Sequence, residues 1–108
     1  MGNTVWVTCE QPGLDYSPAE KFGNIEFLTA KDFSNVRGSL RNEELVQELD
    51  QKLNHIGSDD YIVIAGSPYV SAVVFMLLGR RGVKRVNVLR WNNREYHYAP
   101  LQIDLTRV

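Results

Sequence analysis

Cysteine is nearly absent from this chain: Cys9 stands alone among 108 residues. A single thiol closes no internal disulfide, and no C-x-x-C pair exists. A disulfide scaffold and a thioredoxin-like redox site are thereby excluded, and a reducing compartment is the easier reading. Histidine is scarce too. Neither His55 nor His97 has a second histidine or cysteine at ligand spacing, so no metal site can be argued. Net charge is also small: the formal value of −1 exerts no global pull on nucleic acid or membrane. The longest apolar run, Val70 to Leu78, is broken by Ser71 and is far too short to span a bilayer. The opening MGNTVWVTCEQ lacks a basic start followed by an apolar stretch, so no signal peptide is expected. Gly2 is followed by Trp6 where a myristoylation signal wants Ser or Thr. The expectation is a cytoplasmic protein with no membrane partner. There is no internal repeat, linker or low-complexity segment, which leaves one domain over 1–108.

What is present is the composition of a globular chain, 44% hydrophobic and 23% charged, long enough to bury one core. Thr4 to Cys9 is β-branched and aromatic, a strand by propensity. EQPGLDYSP reads as a loop, and Asn24 to Thr29 as a second short strand. Asn42 is placed to open a helix, with Glu43 and Glu44 in its first turn. Leu45, Val46, Leu49, Leu53 and Ile56 form its apolar stripe, and Gly57 ends it. Tyr61 to Ala65 is apolar throughout, as in a strand covered on both faces. Ser67 suits a helix N-cap and Pro68 the first helical position. The helix over Tyr69 to Leu78 is apolar nearly all round and is expected to be largely buried, with Gly79 or Gly82 closing it. Arg85 to Leu89 supplies the next strand, which completes a βαβ crossover. Asn92-Asn93 then marks a turn, since Asn tolerates positive φ. Arg94 to Tyr98 alternates as a strand pairing antiparallel with the one ending at Trp91.

The expected fold is a small three-layer α/β domain, Rossmann-like, with a mostly parallel sheet and a C-terminal antiparallel hairpin strand. Ligands of such sheets collect at the carboxyl ends of strands. This directs attention to the corner at Gly66, Ser67 and Tyr69. A helix N-terminus there presents backbone N–H groups to a phosphate or carboxylate. Both G-x-x-x-x-G-K-[ST] and G-x-G-x-x-G are missing, and Pro68 removes a donor, so a plain capped turn competes with a ligand site. Cys9 and Glu10 would share this rim if the strand order brings them there. A phosphatase-like cysteine would need Arg six residues on, where Asp15 stands, and Ser67 lacks the G-x-S-x-G elbow of a nucleophile. Cys9 is expected to be a buried structural thiol.

Charge is unevenly distributed. Arg80, Arg81, Lys84, Arg85, Arg90 and Arg94 are six of the 12 basic residues, and no acid interrupts them. Trp91, Tyr96 and Tyr98 lie among or beside them. This mix suits a protein interface, where Trp, Tyr and Arg dominate, or single-stranded nucleic acid. The acidic stretch Glu43, Glu44, Glu48, Asp50, Asp59 and Asp60 gives the chain a dipole that would allow self-association, as would an exposed edge strand at Asn24 to Thr29 or Arg94 to Tyr98.

With DDYIVIAGSP leading into an apolar helix, and VNVLRWNNREYHY as a closing hairpin, the chain resembles the small α/β proteins of unknown function encoded by bacteriophages and other mobile elements. The resemblance spans most of its length and brings no activity and no site residues. The functional expectation is a non-enzymatic interaction or regulatory module acting through Arg81, Lys84, Arg85, Arg90, Trp91, Arg94 and Tyr96. Its alternatives are a nucleotide- or phosphate-binding protein at the Gly66-Ser67 turn, and a single-stranded nucleic-acid binder. No cofactor is implied. An enzyme is the least supported class, because no acid, base and nucleophile can be paired by spacing.

Overall fold

Among the described residues five segments become strands: β1 (Thr4–Val7), β2 (Asn24–Phe27), β3 (Tyr61–Val63) and β4 (Arg85–Asn92), which carry β-branched and aromatic residues, and β5 (His97–Asp104), which has few of them and is held by its pairing with β4. Two helices of 13 residues, α1 (Leu40–Lys52) and α2 (Pro68–Arg80), join them, with short 3-10 helices at Ser17–Phe22 and Leu53–His55. The computed structural model describes residues 3–108, so Gly2 lies outside the described residues. The strands form one sheet in the order β2-β1-β3-β4-β5, with β4–β5 the antiparallel pair and the other three pairs parallel. This is the α/β fold anticipated from the pattern, with β2 and the antiparallel hairpin strand at the two edges.

The order explains which face each connection covers. From β1 the chain steps outward to β2, then reverses, passing β1 to reach β3 and continuing to β4. Crossovers of one hand go to opposite faces when the direction of travel reverses. Accordingly α1 and α2 share one face, where Leu45, Leu49, Val70, Val74 and Leu78 pack on Trp6 and Ile62. Among the described residues the other face receives only the 3-10 helix at Ser17–Phe22, whose Ala19 and the preceding Tyr16 cover Val5, Val7 and Val63. The third layer is therefore a single six-residue 3-10 helix, and it leaves the Trp91 end of the β4–β5 side of the sheet thinly covered.

Several local expectations change, among them the strand over Tyr61 to Ala65, which stops at Val63 and leaves Ile64 54% exposed instead of covered on both faces. Helix α1 begins at Leu40, two residues before Asn42. Asn42 instead pins the preceding loop, its Oδ1 accepting from the Ser34 N–H at 2.8 Å and its Nδ2 donating to the Ser34 carbonyl at 2.9 Å. Helix α2 is buried on one side only, with Tyr69 70% and Met76 72% exposed, because among the described residues no element packs over its outer face. The hairpin strand begins at His97 and runs to Asp104, while the turn expected at Asn92-Asn93 spans Asn93, Arg94, Glu95 and Tyr96. In that turn the Asn92 Oδ1 accepts from the N–H groups of Arg94 and Glu95, and Tyr96, not an Asn, takes the positive φ of 54°.

Candidate functional site

The corner after β3 is a junction of backbone and packing. Because β1 and β3 are neighbours, Cys9 lies directly against Gly66. A Cβ at position 66 would meet the Cys9 Cβ and carbonyl oxygen at 2.9 Å and its Sγ at 3.0 Å, and φ is +68°. Both facts demand glycine without any ligand. Ser67 caps α2, its Oγ accepting from the N–H groups of Tyr69 at 3.2 Å and Val70 at 3.4 Å, while the Ser71 N–H donates to the Ser67 carbonyl. Pro68 has no N–H. The donors that would cradle an anion at this helix start are thus already engaged.

Deeper in the same crevice, the buried Thr8 hydroxyl meets the Ser71 hydroxyl at 2.8 Å, the Ala65 carbonyl at 3.1 Å and the Ala65 N–H at 3.1 Å. The Cys9 thiol is buried and directed at the carbonyls of Glu10 and Lys31. Glu10 is exposed, its N–H holding the Thr29 carbonyl. So the structure does bring Cys9, Glu10, Gly66 and Ser67 to one rim, but packing and internal hydrogen bonds fill the space between β1 and β3.

The basic residues do not form one patch. Arg81, Lys84 and Arg85 lie at the amino end of β4, and Arg90, Trp91, Arg94 and Tyr96 at its carboxyl end. From Arg85 to Arg90 is about 17 Å at the usual rise of a strand. Arg81 is also spent internally: it bonds the Asp50 carboxylate at 2.8 Å, the Asp50 carbonyl, and the Asn54 side chain at 2.7 Å. Arg85 pairs with Asp104 at 3.3 Å. Part of the opposite-charge complementarity considered for self-association is therefore used within the chain.

At the carboxyl end the aromatic residues do converge. The Trp91 ring is 4.9 Å from Tyr98 and 6.4 Å from Tyr96, both edge-to-face. Beside them a groove of about 490 Å³ runs between the loop before the 3-10 helix and strands β3 to β5. Leu14, Tyr16, Ile64, Trp91, Tyr98 and Leu101 line it, with Arg90 and Asp15 as its charged members. Burial, then the nearby Tyr16 and Asp15, push the Tyr98 hydroxyl above its ordinary range. The backbone and side chain of Ser17 hydrogen-bond Asp15 and hold its carboxyl below the usual value. Tyr16, Ile64 and Leu101 were not foreseen as site residues. The available signal was that two long helices cannot cover both faces of a five-stranded sheet.

A second recess of about 510 Å³ lies at the opposite end, near Asp60. Asp60 is structural: it accepts from the Thr4 N–H at 2.9 Å, the Trp6 indole N–H at 3.0 Å and the Gly57 N–H at 2.7 Å. Burial raises its pKa, but those three donors outweigh it and leave the carboxyl below its ordinary value. Among the described residues no cluster of three His, Cys, Asp or Glu could hold a metal ion, and no helix is long and apolar enough to cross a membrane.

No curated protein and no solved structure matches the chain. One family model does match, over residues 4–105, and so spans every strand and both helices. The chain that carries this aromatic groove belongs to the phage Pam3 gp32-like protein family.

Proposed function

We propose that this phage-family protein is a non-enzymatic interaction module that holds a segment of a protein partner in the groove at the carboxyl ends of β3 and β4 and along the neighbouring β5. The observation that carries the reading is the groove itself: Ile64 is 54% exposed, Trp91 39% and Leu101 42%, grouped around one apolar depression. Contiguous exposed apolar surface with aromatic walls is what binding hot spots are made of. Catalysis finds no comparable support, because the Ser67 hydroxyl caps its own helix and the Cys9 thiol faces carbonyls. Phosphate capture at Gly66 has less support than the groove, since the Tyr69 and Val70 N–H groups already have an acceptor. The test is a displayed-peptide selection against the purified protein, followed by binding to Trp91→Ala and Leu101→Glu variants. Enrichment of apolar sequences whose binding falls about tenfold or more in either variant supports the reading. Enrichment indifferent to both variants overturns it.

A further inference from the structure

The charges at the groove are not balanced. Arg90 is a wall residue, and Arg94 follows in the turn, where the Asn92 side chain fixes the backbone by accepting its N–H at 2.9 Å. Both guanidinium groups are on exposed residues, and among the described residues neither has an acidic partner, in contrast to Arg81 and Arg85. The nearest acid in the turn, Glu95, is taken by His97, whose Nε2 lies 2.6 Å from its Oε2. The other charged wall residue, Asp15, is an exposed carboxylate on the loop side and repels a like charge there.

Building on the groove reading, we infer that its occupant is an acidic protein segment. An apolar or aromatic side chain fills the depression beside Trp91, Tyr98 and Leu101. Carboxylates on one flank meet Arg90 and Arg94, directed to that end by the repulsion from Asp15. Exposed ion pairs at a rim add little affinity each, and mainly speed encounter and select the partner. The charge pair thus decides which apolar segment is accepted and in which direction it lies.

The test uses the full chain and three short synthetic peptides without tryptophan. They share one leucine- and phenylalanine-containing centre and differ only in flanks of Asp/Glu, Ser, or Lys/Arg. Oligothymidylate is the fourth probe, and binding is read by calorimetry and Trp91 fluorescence at low and moderate salt. The acid-flanked peptide is expected to bind about tenfold more tightly than the serine-flanked one, and the preference should shrink with salt. It should be lost in Arg90→Gln/Arg94→Gln and reversed in Arg90→Glu/Arg94→Glu, with unchanged circular dichroism. Equal binding of all three peptides that Trp91→Ala abolishes overturns the acidic inference and leaves the groove reading standing. Binding of oligothymidylate alone, or of no probe, overturns both.

Discussion

A side chain at position 66 has no room: the atoms it would meet belong to the Cβ, carbonyl and thiol of Cys9, and the backbone there is left-handed. Left-handed strain of about 1–2 kcal/mol adds to overpacking of about 1–3 kcal/mol, so Gly66→Ala is expected to cost about 2–5 kcal/mol, read as a lower Tm. Gly23 is equally constrained, since a Cβ would fall 2.1 Å from the Asn3 carbonyl oxygen. Asp60 carries a second expectation. Its folded pKa is below the unfolded value, so its stabilisation is complete above about pH 4 and disappears as pH falls through the lower folded value. Asp60→Asn is expected to cost about 1.5–3 kcal/mol near neutral pH, and urea titrations should show that gap closing below about pH 4. The two sites differ in how far they could be read beforehand. Ser67 and Pro68 announce a cap because capping is local chemistry. Asp60 looks like one more surface acid because its donors, Thr4 and Trp6, are 56 and 54 residues away.

Among the elements, β5 shows how an edge is protected. The Leu105 N–H donates to the Lys84 carbonyl, so along this antiparallel ladder the odd-numbered residues of β5 face β4 and the even-numbered ones point outward. Pro100 therefore costs the ladder nothing, and it deletes one donor from the outer edge of a strand that also exposes Leu101 and Ile103. Pro100→Val restores that donor and should raise self-association, seen as a concentration-dependent rise in sedimentation-average mass; an unchanged monomer–dimer balance would count against this role. The βαβ unit from Tyr61 to Asn92 was legible because apolar strand, cap, helix and strand follow one another without a gap. The hairpin turn was legible in place but not in extent, because the Asn92 side chain, rather than an Asn backbone, shapes it and hands the left-handed position to Tyr96. Likewise Asn42 carries a good cap residue's chemistry but uses it on Ser34, a contact that only the folded loop creates.

Across the whole molecule, a charge run in the sequence is not a charge patch in space. Six basic residues between 80 and 94 invite a nucleic-acid reading, yet β4 holds them apart and two have acidic partners. Any binding of single strands at the aromatic end should then engage only Arg90 and Arg94. Its log K should fall with log salt at a slope of about −1.4, against about −4 for all six, as filter binding across a salt series would reveal. The thinly covered face follows from strand order, which no local pattern in the chain encodes, and so the groove was the least foreseeable part of the site. Strand order also has a kinetic consequence. The hairpin closes between Asn92 and His97, whereas the centre of the sheet waits for Val5 to find Tyr61. The long closure costs about 2 kcal/mol more chain entropy than the short one. Trp91 reports the first event and Trp6, bound to Asp60, the second. Substitutions around Trp91 should therefore slow refolding, while Asp60→Asn should chiefly hasten unfolding, giving each tryptophan a separate clock for one folding reaction.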